Sequence, residues 1–183
     1  MERFAVNPGE KLILPNDPMI RYSGRIDDED PSAYGFEFVA TGLKVRVTGG
    51  VLKVCITNRT NYWQSRLGVM VDGRLHAALL PENGQAVIDL SGFLHEGVND
   101  VHVFKRQDSS HAFTFHGLII AENGHLLPPP ERLPRRMEVY GDSVSAGEVS
   151  EAEEYAGKPD PQHNGEYSNV WWSYSWLTAR KLG

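Results

Sequence analysis

The stretch Leu67-Gly-Val-Met-Val-Asp-Gly-Arg-Leu-His-Ala-Ala-Leu-Leu80 decides the fold class. It contains two largely apolar runs, residues 67–71 and 74–80, separated by Asp72-Gly73. An Asp-Gly pair between two apolar runs favours a type I′ turn, because both turn positions need a positive φ that Asp and Gly tolerate. The stretch therefore predicts an antiparallel β-hairpin.

A period of two between apolar and polar residues continues on both sides of this hairpin, from about residue 18 to 120. Further predicted strands lie at residues 36–38, 45–47, 52–56, 86–90, 101–105 and 112–120. Eight or nine short strands with no helix between them are typical of two packed antiparallel sheets. The sequence therefore predicts a mainly β fold, a β-sandwich of jelly-roll type.

The alternation ends at a proline-rich segment. Residues 123–136 hold four prolines, which remove backbone donors and keep the chain extended. We therefore divide the chain into a sandwich domain (residues 1–124), a linker (125–136) and a C-terminal region (137–183). Residues 136–140 predict one further strand, which ends at Gly141-Asp142-Ser143.

The rest of the C-terminal region predicts a long loop and a helix. Residues 144–169 carry six acidic residues against one basic residue, Lys158, so the loop is either a solvated surface loop or the rim of a site. Ser168 or Asn169 can cap a helix that runs to Leu182, with Gly183 just past its end. That helix is apolar nearly all round, which indicates burial in a larger structure. We expect the helix face that bears Trp172 and Trp176 to rest on the sandwich or on a second copy of the chain, so self-association through this helix is one prediction.

Composition excludes several classes of function. The net charge of −6 over 183 residues is unsuited to binding nucleic acid phosphates, and no apolar stretch is long enough to span a membrane. The start, Met1-Glu-Arg-Phe4, does not resemble a signal peptide, so a cytoplasmic protein is predicted, or a secreted one if a signal has been removed. The single cysteine, Cys55, lies in an apolar run and is predicted to be a buried, inert thiol. The sequence contains no cluster of Cys and His residues at the spacing of metal ligands, so no metal site is predicted.

The chemistry centres on Ser143, at the end of the run Val139-Tyr-Gly-Asp-Ser143. A serine delivered by a tight, glycine-containing turn after an apolar run has the layout of a nucleophile elbow, in which Gly141 permits close approach. The backbone N–H of Ser143 can help to hold an oxyanion. The alternative is a plain turn, since Asp142 and Ser143 are common turn-forming residues.

The block Arg136-Met-Glu-Val-Tyr-Gly-Asp-Ser-Val-Ser-Ala-Gly147 resembles the first motif of the SGNH (GDSL-like) hydrolases. Together with Ile20-Arg-Tyr-Ser-Gly-Arg25, Phe115-His-Gly117 and the Asp72-Gly73 hairpin, it makes the chain similar to carbohydrate esterase family 2. Members of that family join a jelly-roll domain to an SGNH hydrolase domain. After Ser143 the sequence departs from the usual motif of the family, because residues 144–149 read Val-Ser-Ala-Gly-Glu-Val.

The resemblance implies a serine esterase that removes O-acetyl groups from plant polysaccharides such as xylan or glucomannan, with Ser143 as nucleophile and with no cofactor. It also implies that the remaining oxyanion donors and the Asp-x-x-His base lie beyond Gly183, so that this chain alone is inactive. Two Asp-x-x-His matches occur within the chain, Asp108–His111 and Asp160–His163. The first match lies in the sandwich. His163, with Asp160, is kept as a weak alternative to a base beyond Gly183, since a base must reach the nucleophile and this pair lies only about twenty residues past Ser143, before the predicted helix.

Two other functions remain open. The sandwich could act alone as a carbohydrate-binding module, with Tyr34, Tyr62 and Trp63 as exposed stacking platforms, although such residues also serve as core. It could equally be an interaction domain with no ligand. Asn58-Arg-Thr60 fits the glycosylation sequon and is discounted because no secretion signal is seen.

Overall fold

A computed structural model of the protein describes residues 4–62 and 64–183. These residues form eleven strands: β1 (Glu10–Ile13), β2 (Arg21–Ser23), β3 (Tyr34–Phe36), β4 (Gly42–Val47), β5 (Leu52–Arg59), β6 (Arg66–Val71), β7 (Arg74–Leu79), β8 (Asn83–Asp89), β9 (Asn99–Lys105), β10 (Ala112–Ala121) and β11 (Leu126–Leu127). All the strand pairs are antiparallel.

The strands build two sheets. Sheet A has the order β1-β10-β5-β8, with β3 also paired to β10, and sheet B has the order β11-β4-β9-β6-β7, with β2 also paired to β4. From β4 to β10 the chain crosses repeatedly from one sheet to the other, with β6-β7 as the one consecutive pair that stays in the same sheet. This crossing pattern and the two facing sheets confirm the predicted mainly β sandwich.

The core lies between the two sheets, where period-two alternation places every second side chain. In β4, Leu43, Val45 and Val47 are buried while Lys44 is exposed. Residues of β5, β9 and β10 complete the same apolar cluster, with Phe115 fully buried in it. Burial of these side chains on one face of each strand is what fixes the register of the sheets.

The predicted hairpin is confirmed. Strands β6 and β7 pair from Arg66 opposite Leu79 to Val71 opposite Arg74. Asp72 and Gly73 connect them with φ values of 46° and 82°. Both turn residues thus lie in the left-handed region, as a type I′ turn requires.

The structure corrects the prediction at several strands. β1 and β2 were not predicted, and β11, at the start of the predicted linker, pairs with β4. The strand predicted at residues 136–140 is wrong, because this segment has no strand partner and all five of its residues are exposed. An apolar run forms a strand only where a neighbour accepts its backbone hydrogen bonds.

The C-terminal region is also more divided than predicted. The predicted loop begins with a short helix, α1 (Ser143–Ala146), and contains a 3-10 turn at Glu153–Tyr155. The single helix predicted to run from a cap at Ser168 or Asn169 to Leu182 is divided in the structure. Asn169 does act as a cap, but of a 3-10 turn at Val170–Trp172, which precedes α2 (Tyr174–Leu182). Ser173 separates them, since its backbone is extended and its Oγ caps α2 by accepting from the Trp176 N–H.

Most of α2 is exposed in the described chain. Within α2 only Ser175 is buried. Trp172, Tyr174, Leu177 and Leu182 remain exposed. The described part of the chain contains no helix with the length and apolar character to cross a membrane.

Candidate active site around Ser143

Ser143 is the first residue of α1, and a network of short-range hydrogen bonds shapes the turn before it. The Asp142 carboxylate accepts from the Val144 N–H at 3.1 Å and caps the helix. The Ser145 hydroxyl donates to the Asp142 carbonyl at 2.7 Å. A side chain at Gly141 would collide with the Ser145 Oγ. The turn therefore leaves no room for a side chain at Gly141, and Ser143 itself is exposed.

Hydrogen bonds from α2 and from the residue Asn169 before it hold α1 in place. Gly147 ends α1 in the left-handed conformation, and its carbonyl accepts from the Asn169 N–H at 3.0 Å. The Ser175 hydroxyl donates to the Ser145 carbonyl at 2.9 Å. These bonds fix the helical turn that carries Ser143 relative to α2.

Arg106, directly after β9, fastens this assembly to the sandwich. Its side chain is buried, its Nε donates to the Ser168 carbonyl at 2.7 Å, and its Nη2 donates to the Glu166 carbonyl and pairs with Glu151. The Arg106 carbonyl accepts from the Val170 N–H at 3.0 Å. A guanidinium group offers several donors in a fixed plane, so one side chain can serve three acceptors. Arg106 thus links the end of β9 to the segment that supports Ser143.

We call the set of hydrogen bonds made by Arg106 the Arg106 clasp. On the outer face of sheet B, an aromatic contact also joins the two regions. Phe104 in β9 meets Trp176 edge-on with 4.8 Å between ring centroids, and Trp171 lies 5.8 Å away. The Arg180 guanidinium lies 3.7 Å from the centroid of the Trp171 ring and donates to the Trp171 carbonyl. The prediction that the helix would rest on the sandwich is therefore met by Trp176 and not by the exposed Trp172.

Ser143 opens onto a cavity of about 1490 Å³ between the sandwich and the C-terminal region, which we call the Ser143 cavity. The sandwich contributes Arg25, Phe38, Lys44, Asp72, Asp100 and Asp108, among others; the C-terminal region contributes residues 137–143, Ser145, Ala146, Trp171, Trp176 and Arg180. From the acidic loop 144–169, only Ser145 and Ala146 line it. The wall of the cavity is therefore shared by the two regions.

No histidine with the properties of a base reaches this cavity in the described chain. His163 does not line it; its Nδ1 lies 2.9 Å from Glu148, and its Nε2 lies 3.9 Å from Asp160. His102 does line it, but its Nε2 is enclosed without a hydrogen-bond partner among the described residues. Burial, with a smaller effect from Lys44, lowers the pKa of His102 to about 3. The structure therefore offers Ser143 no accessible, oriented imidazole.

The other predicted site residues lie elsewhere. His111, of the first Asp-x-x-His match, is buried against Tyr62 with 4.7 Å between ring centroids. Tyr62 and Tyr34 are half-buried, and Tyr34 packs on Tyr22, so the expectation that both are exposed stacking platforms is wrong. Trp63, the third predicted platform, lies outside the described residues.

Two side chains outside the site, Asn58 and Cys55, belong to motifs that suggested glycosylation and thiol reactivity. Asn58 is buried, and its Nδ2 donates to the Thr60 hydroxyl and to two backbone carbonyls, so its amide is not presented as a glycosylation acceptor. Cys55 is fully buried, as predicted, and burial raises the pKa of its thiol to about 12. A thiol held in its neutral form is a poor nucleophile.

Sequence reasoning missed Arg106 and Gln107, although both are buried and connect the two regions. The Gln107 amide donates to the Gly165 carbonyl at 2.8 Å and to the Gln64 carbonyl at 2.8 Å. The available signal was the polar run Lys105-Arg106-Gln107 directly after an alternating strand. By itself, that run indicates a strand end exposed to solvent. Its buried position depends on hydrogen bonds from Arg106 and Gln107 to carbonyls about 60 residues away in sequence, which the local sequence does not reveal.

The fold and the site together define a two-sheet sandwich that carries a docked, serine-bearing turn. The family described as Carbohydrate esterase 2 N-terminal matches residues 22–130. That match covers more than half of the chain, so the chain belongs to carbohydrate esterase family 2.

Curated relatives agree with this family. The chain is 26% identical over 175 residues to an acetylxylan esterase / glucomannan deacetylase of Cellvibrio japonicus, a match that covers 93% of this chain and 46% of the relative. It is 26% identical over 168 residues to the cellulase/esterase CelE of Acetivibrio thermocellus, covering 91% of this chain and 20% of that protein. The chain thus spans half or less of the length of the curated relatives that it matches.

Solved structures show the same fold. A family two carbohydrate esterase from Cellvibrio japonicus superposes with a TM-score of 0.79 at 24% identity, over 94% of this chain and 50% of that one. The family two carbohydrate esterase from Clostridium thermocellum, solved in complex with cellohexaose, gives a TM-score of 0.77 at 24% identity, over 89% of this chain and 48% of that one.

Proposed function

We propose that this chain is the N-terminal part of an SGNH-type serine esterase that removes O-acetyl groups from carbohydrates, with Ser143 as its nucleophile. The observation that carries the proposal is the placement of Ser143, which is exposed at the start of α1 on a large cavity. The names of the curated relatives support acetylated xylan or glucomannan as the substrate class. In this proposal residues 1–124 are the sandwich domain, 125–136 the linker and 137–183 the first part of the hydrolase domain.

The chemistry assigns a limited role to the residues present. Gly141 and Asp142 form the elbow that presents Ser143. The Ser143 hydroxyl attacks the acetyl carbonyl, and the Ser143 backbone N–H donates to the developing oxyanion. The hydroxyl oxygen needs a base to take its proton before it is a useful nucleophile. His163 is paired with Glu148 and His102 is enclosed, so neither supports that role. We therefore expect the base and the other oxyanion donors to come from a longer polypeptide.

The test compares two lengths of the protein in hydrolysis of p-nitrophenyl acetate. The 183-residue chain should release p-nitrophenol no faster than an unrelated control protein. The gene-length protein should be active, and Ser143→Ala should lower its turnover by roughly 10³-fold or more, because the nucleophile is lost. Ser145→Ala, on the same turn, is the matched control and should retain far more activity.

One outcome would overturn the choice of nucleophile, and another would overturn the inactivity of the 183-residue chain. Activity of the gene-length protein that survives Ser143→Ala removes Ser143 as the nucleophile. Turnover by the 183-residue chain that disappears in His163→Ala makes Asp160-Pro-Gln-His163 the working base. The second outcome would keep the esterase and reject the inactivity of the fragment.

Self-association and a cytoplasmic location both stay predictions. Self-association is supported by three exposed apolar side chains: Leu177 and Leu182 on α2, and Trp172 in the 3-10 turn that precedes it. Light scattering of the 183-residue chain should show a dimer that Trp172→Ser weakens. A monomer at all concentrations would contradict this expectation.

A further inference from the structure

Asn169, the cap of the 3-10 turn before α2, is fully buried, and each of its polar groups makes a hydrogen bond. Its backbone N–H donates to the Gly147 carbonyl at 3.0 Å, and its carbonyl accepts from the Ser150 hydroxyl at 2.9 Å. Its side-chain oxygen accepts from the Trp171 N–H at 3.1 Å, and its side-chain nitrogen donates to the Glu151 carboxylate at 2.6 Å. Four hydrogen bonds therefore fix the residue that holds the end of α1.

Glu151 connects Asn169 to the sandwich. One oxygen of its carboxylate accepts from the Asn169 side chain, and the other accepts from the Arg106 guanidinium. The Arg106 side chain is 4% exposed and that of Glu151 is 31% exposed, so the ion pair is largely shielded from water. Hydrogen bonds to a charged group are stronger than those between neutral groups, so the carboxylate fixes both donors. We call Arg106, Glu151 and Asn169 the Asn169 network.

The Asn169 network ends on the backbone of the turn that carries Ser143. A side chain at Gly147 would meet the Asn169 carbonyl at 2.6 Å, so the two segments are in close contact. The Glu148 N–H, one residue further on, donates to the Ser143 carbonyl at 3.0 Å. A helix of four residues such as α1 is too short to be stable without such contacts. A displacement of Asn169 should therefore displace Ser143.

We propose that Arg106, Glu151 and Asn169 are positioning residues for Ser143, through which the sandwich sets the orientation of the nucleophile. This inference rests on the proposed esterase function and deepens it. None of the three residues lines the Ser143 cavity, so they act through α1 and not on the substrate. A small misplacement of a reacting atom slows the chemical step strongly, even when its cause lies away from the reacting groups.

A pair of substitutions with opposite polarity tests the contact between Glu151 and Asn169. Glu151→Gln turns one acceptor into an NH₂ group, which then faces a donor of Arg106 or of Asn169. Asn169→Asp places a second carboxylate against Glu151. In the double variant, the new glutamine accepts from Arg106 with its oxygen and donates with its NH₂ group to the new aspartate. The hydrogen bonds of the Asn169 network are then restored with the donor and the acceptor exchanged.

The measurement is hydrolysis of p-nitrophenyl acetate by the gene-length protein. Each single variant should lower kcat and kcat/KM equally, by about tenfold, so that KM is unchanged. The double variant should recover most of this loss. Glu154→Gln is the matched control, because Glu154 is an exposed residue of the same loop that accepts from the Tyr167 hydroxyl outside the network. Its kcat and KM should equal those of the parent.

Three results would overturn the proposal. Single variants that keep the parent's kcat, beside an inactive Ser143→Ala, reject the Asn169 network and leave the esterase in place. A double variant no faster than the single variants also rejects it, because the restored hydrogen bonds then do not position Ser143. Activity that survives Ser143→Ala removes the nucleophile itself, so failure of the proposed function appears in a different variant. Thermal melts check that each variant folds, and if a single variant does not fold, the kcat of the double variant decides.

Discussion

The two-sheet sandwich and the C-terminal region 137–183 are stabilised in different ways. The sandwich buries a continuous apolar cluster between its sheets, from Ile20 to Ile120. In the C-terminal region the buried apolar side chains are those of Ala146, Pro161 and Val170. That region is held instead by the Arg106 clasp and by the contact of Trp176 with Phe104. We therefore expect the sandwich to be the folding unit on which the serine-bearing turn is positioned.

A substitution in the core of the sandwich should have the largest effect on stability, because the C-terminal region depends on the sandwich. Phe115 in β10 is fully buried among the residues of the core. Phe115→Ala leaves a cavity and should lower the free energy of unfolding by about 3–5 kcal/mol. Because the C-terminal region is supported by the sandwich, near-UV and far-UV circular dichroism should report one shared loss of structure on heating. Tryptophan signals that survive after the sheets have melted would contradict this dependence.

A smaller effect is expected where the two regions meet. Gly68 in β6 lies beneath Phe104, and a methyl group there would overlap the Phe104 ring. Gly68→Ala should therefore displace Phe104 from Trp176, at a cost of about 1–3 kcal/mol. The expected signature is a red shift of tryptophan emission while far-UV circular dichroism still shows the sandwich.

Gly92→Ala supplies the control for this change. Gly92 lies outside the left-handed region, and a methyl group there meets no atom within 4 Å. Its emission and melting temperature should match those of the parent. If Gly68→Ala also leaves the emission unchanged, the aromatic contact does not hold the C-terminal region in place.

The same contrast explains how far the sequence could predict the structure. The hairpin at Asp72-Gly73 follows from local rules, since turn chemistry and period-two burial both act on neighbouring residues. The close approach at Gly141 is equally local, because it involves atoms of Ser145. The cap formed by Asp142 was not predicted, since the sequence indicated a loop and not a helix after Ser143. The role of Arg106 was not predictable, since its acceptors lie about 45 to 60 residues away.

The segment 136–140 shows the opposite failure. Its apolar alternation is a real feature of the sequence, but the described chain provides no neighbouring strand. The apolar character of the helix that follows Trp172 likewise records a preference for burial, and it does not tell which partner covers the helix. Local pattern therefore predicted the sandwich well and the C-terminal region poorly.

The smallest expected effect concerns pH and the contact between the two regions. His102 lies in β9 under Trp176, with 5.8 Å between ring centroids, and its pKa in the folded state is lowered to about 3 by burial and by Lys44. In the unfolded chain an ordinary pKa near 6.5 applies, so between these values the unfolded state binds the additional proton. Stability is then fully present above pH 6.5 and falls as the pH falls through the window from 6.5 towards 3.

Between pH 7 and 5.5 the parent should lose about 1 kcal/mol of unfolding free energy that His102→Gln does not lose. Urea denaturation of both proteins at the two pH values measures this difference, and the subtraction removes contributions from the other histidines. Equal losses in parent and variant would mean that the His102 imidazole is protonated in the folded state, so that the contact with Trp176 does not exclude the charge.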